Sequence, residues 1–382
     1  MARRLELDAL RGLMLVLMTV THLPTRLADP LGQPIGFVSA AEGFVFLSAF
    51  MAGMVYSRRA IKAGLPAMQS AFLRRAIKIY LCQAALLIFL FTAIAAIGVA
   101  VEQPAITNLI SFFLKAPNTA LWAGLGMIYN PPLLDILPLY VLFMLVSPLL
   151  LSHALKHGWR GLLTCSLLLW LVAQFDISRL LYSGVVALTG LSVPFQETGA
   201  FETFGWQFLW MMGLWMGTTT VTTPSALEGI PRWMVIASGV IAVAGFIGRH
   251  TFGQVLPDDM INVLFDKWHL GPMRLLNFCA LLILVTHYGA ALRRLPRIGY
   301  LQTLGAASLP VYCVHLVIVL FALALVGPQF DHGPMIDALL LIGCLTLLYG
   351  VAWISARMDD THPAAPDRGP GQGPMVTAGG PR

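Results

Sequence analysis

Charge is what this sequence most lacks. Of its 382 residues only 11% are Asp, Glu, Lys or Arg, whereas 58% are hydrophobic, and the mean hydropathy is +0.78. A soluble domain carries about a quarter charged residues. This chain cannot clothe a water-facing surface, and it reads as an all-α polytopic membrane protein. Cysteines are few: Cys82, Cys165, Cys279, Cys313 and Cys344 all sit inside apolar runs. None has metal-ligand spacing and none lies in a loop suited to a disulfide, so they read as small core residues and no metal is expected. The first apolar run ends in His22 and Pro24 without a small-x-small cleavage pattern, so the first helix is expected to stay as an anchor. No internal repeat is apparent, which weighs against a transporter built from inverted halves.

What is present is a series of apolar runs. Crossing about 30 Å of hydrocarbon takes about 20 residues. Ten runs fit: 9–28, 36–56, 77–101, 133–151, 161–175, 205–221, 233–249, 272–290, 300–326 and 335–356. Basic residues alternate with them. Arg3, Arg4, Arg11, Arg58, Arg59, Lys62, Arg74, Arg75, Lys78, Lys156, Arg160, Arg232, Arg293, Arg294, Arg297 and Arg357 fall on one face. The other face holds only Arg26, Lys115, Arg179, Arg249, Lys267 and Arg274. The positive-inside rule then puts both termini in the cytoplasm. The net charge of +6 is topology and not a nucleic-acid footprint, so no nucleic-acid partner is expected. Two outward connections, 102–132 and 176–204, are apolar and rich in Gly and Pro, as expected of segments that dip into the membrane or roof a cavity. Residues 359–382 are rich in Pro and Gly and are expected to form a disordered cytoplasmic tail behind a membrane domain of 1–358.

Against this background the ionisable groups inside apolar runs carry the functional argument, because burying them is costly. In LDALRGLMLVLMTVTHLP (7–24), Asp8 and Arg11 share a helix face, and Asp8 is expected beside the substrate path. Arg11 and His22 lie eleven residues apart, about three turns and roughly 16 Å along the axis, so they mark two ends of one stripe. Glu42 lies inside the second run with Ser48 two turns deeper. Glu42 shares the depth of His22 and is expected to orient it, as a carboxylate supports a basic imidazole. FLRRAIKIYL (72–81) gathers Arg74, Arg75 and Lys78 at the cytoplasmic mouth of the third run, where they suit a phosphorylated ligand. Asp135 stands at the outer mouth of the fourth run, and Asp266, Lys267 and Arg274 at that of the eighth. Arg274 has no anchoring reason to be there and reads as an anion site. His315, in SLPVYCVHL (308–316), is open to two readings, a buried core residue or a substrate contact.

The order of these segments resembles a known family. Arg11, ten residues, then His22 is similar to the first-helix signature of the acyltransferase-3 superfamily of membrane acyltransferases. FVFLSAF resembles its second-helix motif, with Ala49 where the family has glycine, and RRAIKIYL its entry to the third helix. LDALRG with His22, AAEGFVFLSAF, DILPLY, RLLNF and SLPVYCVH together resemble the OpgC family, with Ser39 where an acidic residue is expected. The resemblance runs from residue 4 to about 320. It implies a ten-helix bacterial inner-membrane succinyltransferase that modifies osmoregulated periplasmic glucans. On that footing Arg11, Arg74, Arg75 and Lys78 would hold the phosphates of succinyl-CoA or acetyl-CoA, the acyl donor, with no permanently bound cofactor. His22, oriented by Glu42 or Asp135, would be the general base, or would carry the acyl group itself. Ser48 or a backbone N–H would stabilise the oxyanion, and Arg274 or Lys267 would hold a succinyl carboxylate. The acceptor would be a periplasmic glucan or other envelope saccharide, with membrane lipid around the protein and a homo-oligomer possible. Two alternatives stay open: an O-acetyltransferase for another envelope polysaccharide or lipopolysaccharide, and a solute carrier without chemistry.

Overall fold

The computed structural model describes residues 5–227, 229–253, 259–289, 298–327 and 333–361. Arg3, Arg4, Arg293, Arg294, Arg297 and the expected tail beyond Thr361 lie outside the described residues. Among the described residues the regular structure is all helical. The main elements are α1 (Leu5–His22), α2 (Ala40–Phe89), α3 (Ile136–His157), α4 (Arg160–Ala173), α5 (Ile177–Thr189), α6 (Thr203–Thr222), α7 (Arg232–Phe252), α8 (Pro272–His287), α9 (Gly299–Ala306), α10 (Ser308–Leu325) and α11 (Pro334–Thr361). Five helical stretches are long and apolar enough to cross a membrane: Ala40–Ala100, Ile136–His157, Arg232–Phe252, Ser308–Leu325 and Pro334–Met358. The bent pair α4–α5 makes six if it is one span.

The longest of these is not straight. The 50 residues of α2 would reach about 75 Å at 1.5 Å per residue, more than twice the hydrocarbon thickness. Gly64 breaks the helix with φ +84°, a conformation that side chains with a Cβ avoid. Pro66 then begins the second arm, where its missing N–H removes no helical bond. The Tyr56 and Phe72 rings stack with centroids 3.8 Å apart, although a straight helix would hold those residues about 24 Å apart. The chain therefore doubles back. The expected runs 36–56 and 77–101 are the arms of one hairpin, and the second arm is already helical from 65, before its apolar run begins.

Elsewhere the helices depart from the expected runs at breaks. The short fourth-to-fifth region turns by 81° between α4 and α5, at Asp176 with φ +55°. The run 300–326 is split at Ala307 into α9 and α10. The connection 102–132 holds three short helices, Pro104–Leu109, Ser111–Lys115 and Pro117–Leu125.

Backbone-to-backbone packing sets the bundle's geometry. A Cβ on Gly213 or Gly217 of α6 would come within 2.6 Å of the Phe46 carbonyl oxygen or 2.0 Å of that of Phe50, and one on Gly53 of α2 within 2.3 Å of Leu214 O. Small residues four apart let membrane helices touch along their main chains, and here both partners contribute. α1 meets α9 in the same way, through Gly12 and Gly305. The α3 and α10 helices bury 56% of their apolar windows, while α7 buries 17% and α11 22%. The interior is thus built by α1, the first arm of α2, α3, α6 and α10, with α7 and α11 at the periphery.

Candidate active site

Two polar contacts tie α1 to α10. At one end the Arg11 guanidinium donates through Nη2 to Ser308 Oγ. At the other, His22 Nδ1 lies 3.3 Å from His315 Nε2, with the rings parallel to within 16°. Ser308, Tyr312 and His315 are spaced i, i+4 and i+7, so they form one stripe of α10. The stripe read on α1 from Arg11 to His22 is therefore matched by a second stripe facing it.

Each end opens into a cavity. The Arg11 cavity, of about 190 Å³, is lined by Arg11, Arg75, Ser48 and Ser308 among apolar side chains that include Val55, Ile79 and Met144. The His22 cavity, of about 450 Å³, is lined by His22, Ser39, Asp135, Lys267, Trp268 and Gln33, among others. Asp135 accepts a bond from the Ala200 N–H at 3.2 Å. Gln33 is 6% exposed, and its Oε1 has no hydrogen-bond partner among the described residues. Ile136 and Tyr312 line both cavities.

Glu42 does not orient His22. It shares the depth of His22 but not its face. Its Oε1 accepts from Arg274 Nη1 at 2.6 Å, and the two side chains are 0% and 2% exposed. Oε2 accepts from the Ser39 N–H at 3.0 Å and from the Ser39 hydroxyl, closing a capping box at the start of α2. Arg274 also donates through Nε to the Phe265 carbonyl at 3.0 Å. A buried guanidinium without a carboxylate would be far more costly than a neutral imidazole without one, which is why Glu42 goes to Arg274. Arg274 is accordingly committed to Glu42 and the 265 carbonyl and is not a free anion site.

The segment 266–271, outside the membrane-spanning helices, supplies the remaining polar groups. Lys267 reaches the cavity with its ammonium 4.7 Å above the Trp268 ring. Burial lowers its pKa, while the Glu42 and Asp135 carboxylates oppose that. His269 is held between two carboxylates, with Nδ1 2.6 Å from Asp266 Oδ2 and Nε2 3.1 Å from Asp176 Oδ1. The hydrogen bond to Asp266 raises the His269 pKa against the effect of burial.

Of the residues singled out in the sequence, the structure gathers His22, Asp135 and Lys267 at one cavity and Arg11, Arg75 and Ser48 at the other. Ser48 is thus separated from His22 and is not placed to stabilise an oxyanion there. Arg74 and Lys78 are exposed, and Arg74 donates to Ser70 at 2.7 Å; neither lines the Arg11 cavity. Asp8 is buried, with its main chain against Gly305, and lines neither cavity. His315 is fully buried and touches His22 instead of the cavity. Ser308, Tyr312 and Gln33 were not singled out. The i, i+4, i+7 spacing to His315 was the available signal for the first two.

The family model described as OpgC protein matches residues 3–360. No curated protein and no solved structure matches the chain. The match spans nearly the whole sequence, and the chain belongs to the OpgC family, which implies an acyltransferase housed in a membrane.

Proposed function

We propose, from membership of the OpgC family, that this protein moves a succinyl group from cytoplasmic succinyl-CoA to hydroxyls of periplasmic glucans across the bacterial inner membrane, through a ten-crossing bundle related to the acyltransferase-3 superfamily. The observation that carries this reading is the pair of cavities at opposite ends of α1, cationic at Arg11 and basic at His22. Arg75 shares the Arg11 cavity and follows the Gly64 turn with its flanking Arg58, Arg59 and Lys62. Positive-inside bias therefore assigns that end, and both termini, to the cytoplasm.

In this reading Arg11 and Arg75 hold the donor phosphates, and the slender pantetheine arm runs along the apolar wall of Val55, Ile79 and Met144. His22 is the general base. With the proton on Nδ1 donated to His315 Nε2, Nε2 is left free to accept. The acceptor hydroxyl gives its proton to Nε2 as its oxygen attacks the thioester carbonyl. The C–S bond then breaks, and the imidazolium returns the proton to the departing thiolate. Proton transfer of this kind contributes about 10²–10⁴ in rate. Asp135, in the same cavity, supports the imidazolium. Since Arg274 is committed to Glu42, Lys267 is the cation left for a succinyl carboxylate.

A second reading, acetyl transfer to another envelope saccharide, draws support from Asp135, a carboxylate that shares the cavity with Lys267. Mass spectrometry of periplasmic glucans from wild type, a deletion strain and His22→Ala at matched protein levels tests the primary reading, which expects anionic succinyl esters in wild type alone. Lys267→Met then separates donors. Succinyl transfer falls while acetyl transfer does not, and equal loss of both rules out a carboxylate-binding role.

A further inference from the structure

The two cavities sit on one path yet are not one space. Tyr312 and Ile136 are the lining residues they share. Tyr312 is 2% exposed and lies on α10 between the two contacts with α1, one turn after Ser308 and one turn before His315. Its ring stacks on Phe44 with centroids 5.8 Å apart and planes within 17°. It also meets the His315 ring edge to face at 4.8 Å. The wall behind it is pinned, because the Tyr140 hydroxyl donates to the Phe44 carbonyl at 3.0 Å. Tyr312 thus stands where the two cavities meet and touches the histidine that contacts His22.

We infer that Tyr312 is the positioning residue of the transfer path: its ring separates the two cavities and, displaced by an incoming acyl chain, packs against that chain beside His22. The first half rests on the cavities alone, and the second rests on the acyl-transfer reading above. A membrane protein with water-filled cavities at both ends needs such a barrier, since an open path would leak solutes and expose the thioester to hydrolysis. An aliphatic side chain of smaller size at 312 would join the cavities. Phenylalanine would keep the ring and the barrier.

The test begins with a chain in which the five cysteines are replaced by serine and Ser48→Cys is a reporter on the Arg11 cavity, reconstituted in vesicles of known orientation. A charged, membrane-impermeant methanethiosulfonate is applied from each side. With Tyr312 present, the reporter is modified from the Arg11 side only. Tyr312→Ala makes it reactive from the His22 side as well, and Tyr312→Phe restores protection. Labelling from the His22 side with Tyr312 intact overturns the proposal, as does unchanged protection in Tyr312→Ala that still labels from the Arg11 side. A reporter reached from neither side overturns it too, because no open cavity would then lie at Ser48. Labelling needs no chemistry, so a protein that shows the barrier but transfers no acyl group refutes the acyltransferase reading and leaves the barrier standing. On active protein, Tyr312→Ala converts transfer into hydrolysis of the donor at unchanged donor KM, and Tyr312→Phe recovers transfer. A mere packing defect would lower both reactions together.

Discussion

The two ends of α1 make an instructive contrast. At the Arg11 end the cavity is smaller and mostly apolar, and its polar groups are two guanidiniums and the hydroxyls of two serines and three tyrosines. At the His22 end the space is more than twice as large and mixes imidazole, carboxylates, an ammonium, an amide and an exposed indole. A slender, anionic-headed ligand fits the first, and a bulky polyhydroxylated one the second. On the proposed function, the difference would separate recognition of a donor from the chemistry done on an acceptor, with one helix holding both in register. It also distinguishes groups that face a cavity from groups that only hold the walls, such as Glu42 and Arg274.

The contrast breaks most completely at His22. His22→Ala should lower transfer by about two to four orders of magnitude, measured as esters formed per protein, while the affinity for acyl-CoA in calorimetry stays unchanged. Loss of acyl-CoA binding in that variant would mean that the two ends are not separate. Next comes the wall. Glu42→Ala leaves Arg274 buried without its carboxylate, a change worth about 3–5 kcal/mol. It should appear as a lower melting temperature in detergent, largely recovered when Arg274→Met is added. Recovery of stability without recovery of catalysis would show that the pair also has a chemical role.

A smaller effect sharpens the donor side. Arg75→Ala should raise donor KM about tenfold, the equivalent of about 1.4 kcal/mol of binding, with kcat little changed. Arg74→Ala, on an exposed side chain bonded to Ser70, should do neither. The smallest effect is in the 266–271 segment on the acceptor side. Because the His269 pKa is raised in the folded protein, its clamp with Asp266 and Asp176 contributes fully below the unfolded value near 6.5. That contribution is lost as pH rises through the folded value. Glu202 also faces it and adds in the same direction. Thermal unfolding across pH should show His269→Gln less stable than wild type in acid, with the gap closing in alkali. A gap that widens with pH would contradict the clamp.

Much of this was legible in the chain. The Arg11–His22 stripe follows from helical periodicity alone, and the Gly64 hairpin was announced by basic residues between two apolar runs. What periodicity cannot deliver is the rotation of one helix about its axis relative to another. Depth therefore pointed Glu42 at His22, while rotation gives it to Arg274, 232 residues away. The run 300–326 was read as one crossing, although Ser308 and Pro310 in GYLQTLGAASLPVY mark a helix start just after Ala307. The same blindness left Gly213 and Gly217 unread, although they govern how closely α6 approaches α2. Tyr312 looked like one more aromatic in a greasy helix until both cavities were seen to end on it.

The Glu42–Arg274 bond also constrains how the protein is made. The α8 helix is 16 residues long, about 24 Å, and falls short of the hydrocarbon thickness. It also brings Arg274 in its first turn, a cation that ends up buried. Such a segment is a poor candidate for independent entry into lipid. Its partner, however, is synthesised long before it. The Glu42 carboxylate is held meanwhile by the hydroxyl and N–H of Ser39, so the nascent chain carries a prepared acceptor for a helix not yet translated. The order of synthesis thus becomes an order of assembly, in which α8 docks on Glu42 and both cavities are completed later by α10, which brings Tyr312. A chain stalled before α10 would carry Arg11, Ser48 and Arg75 but lack the Ser308 hydroxyl that Arg11 meets and the Tyr312 ring that lines both cavities.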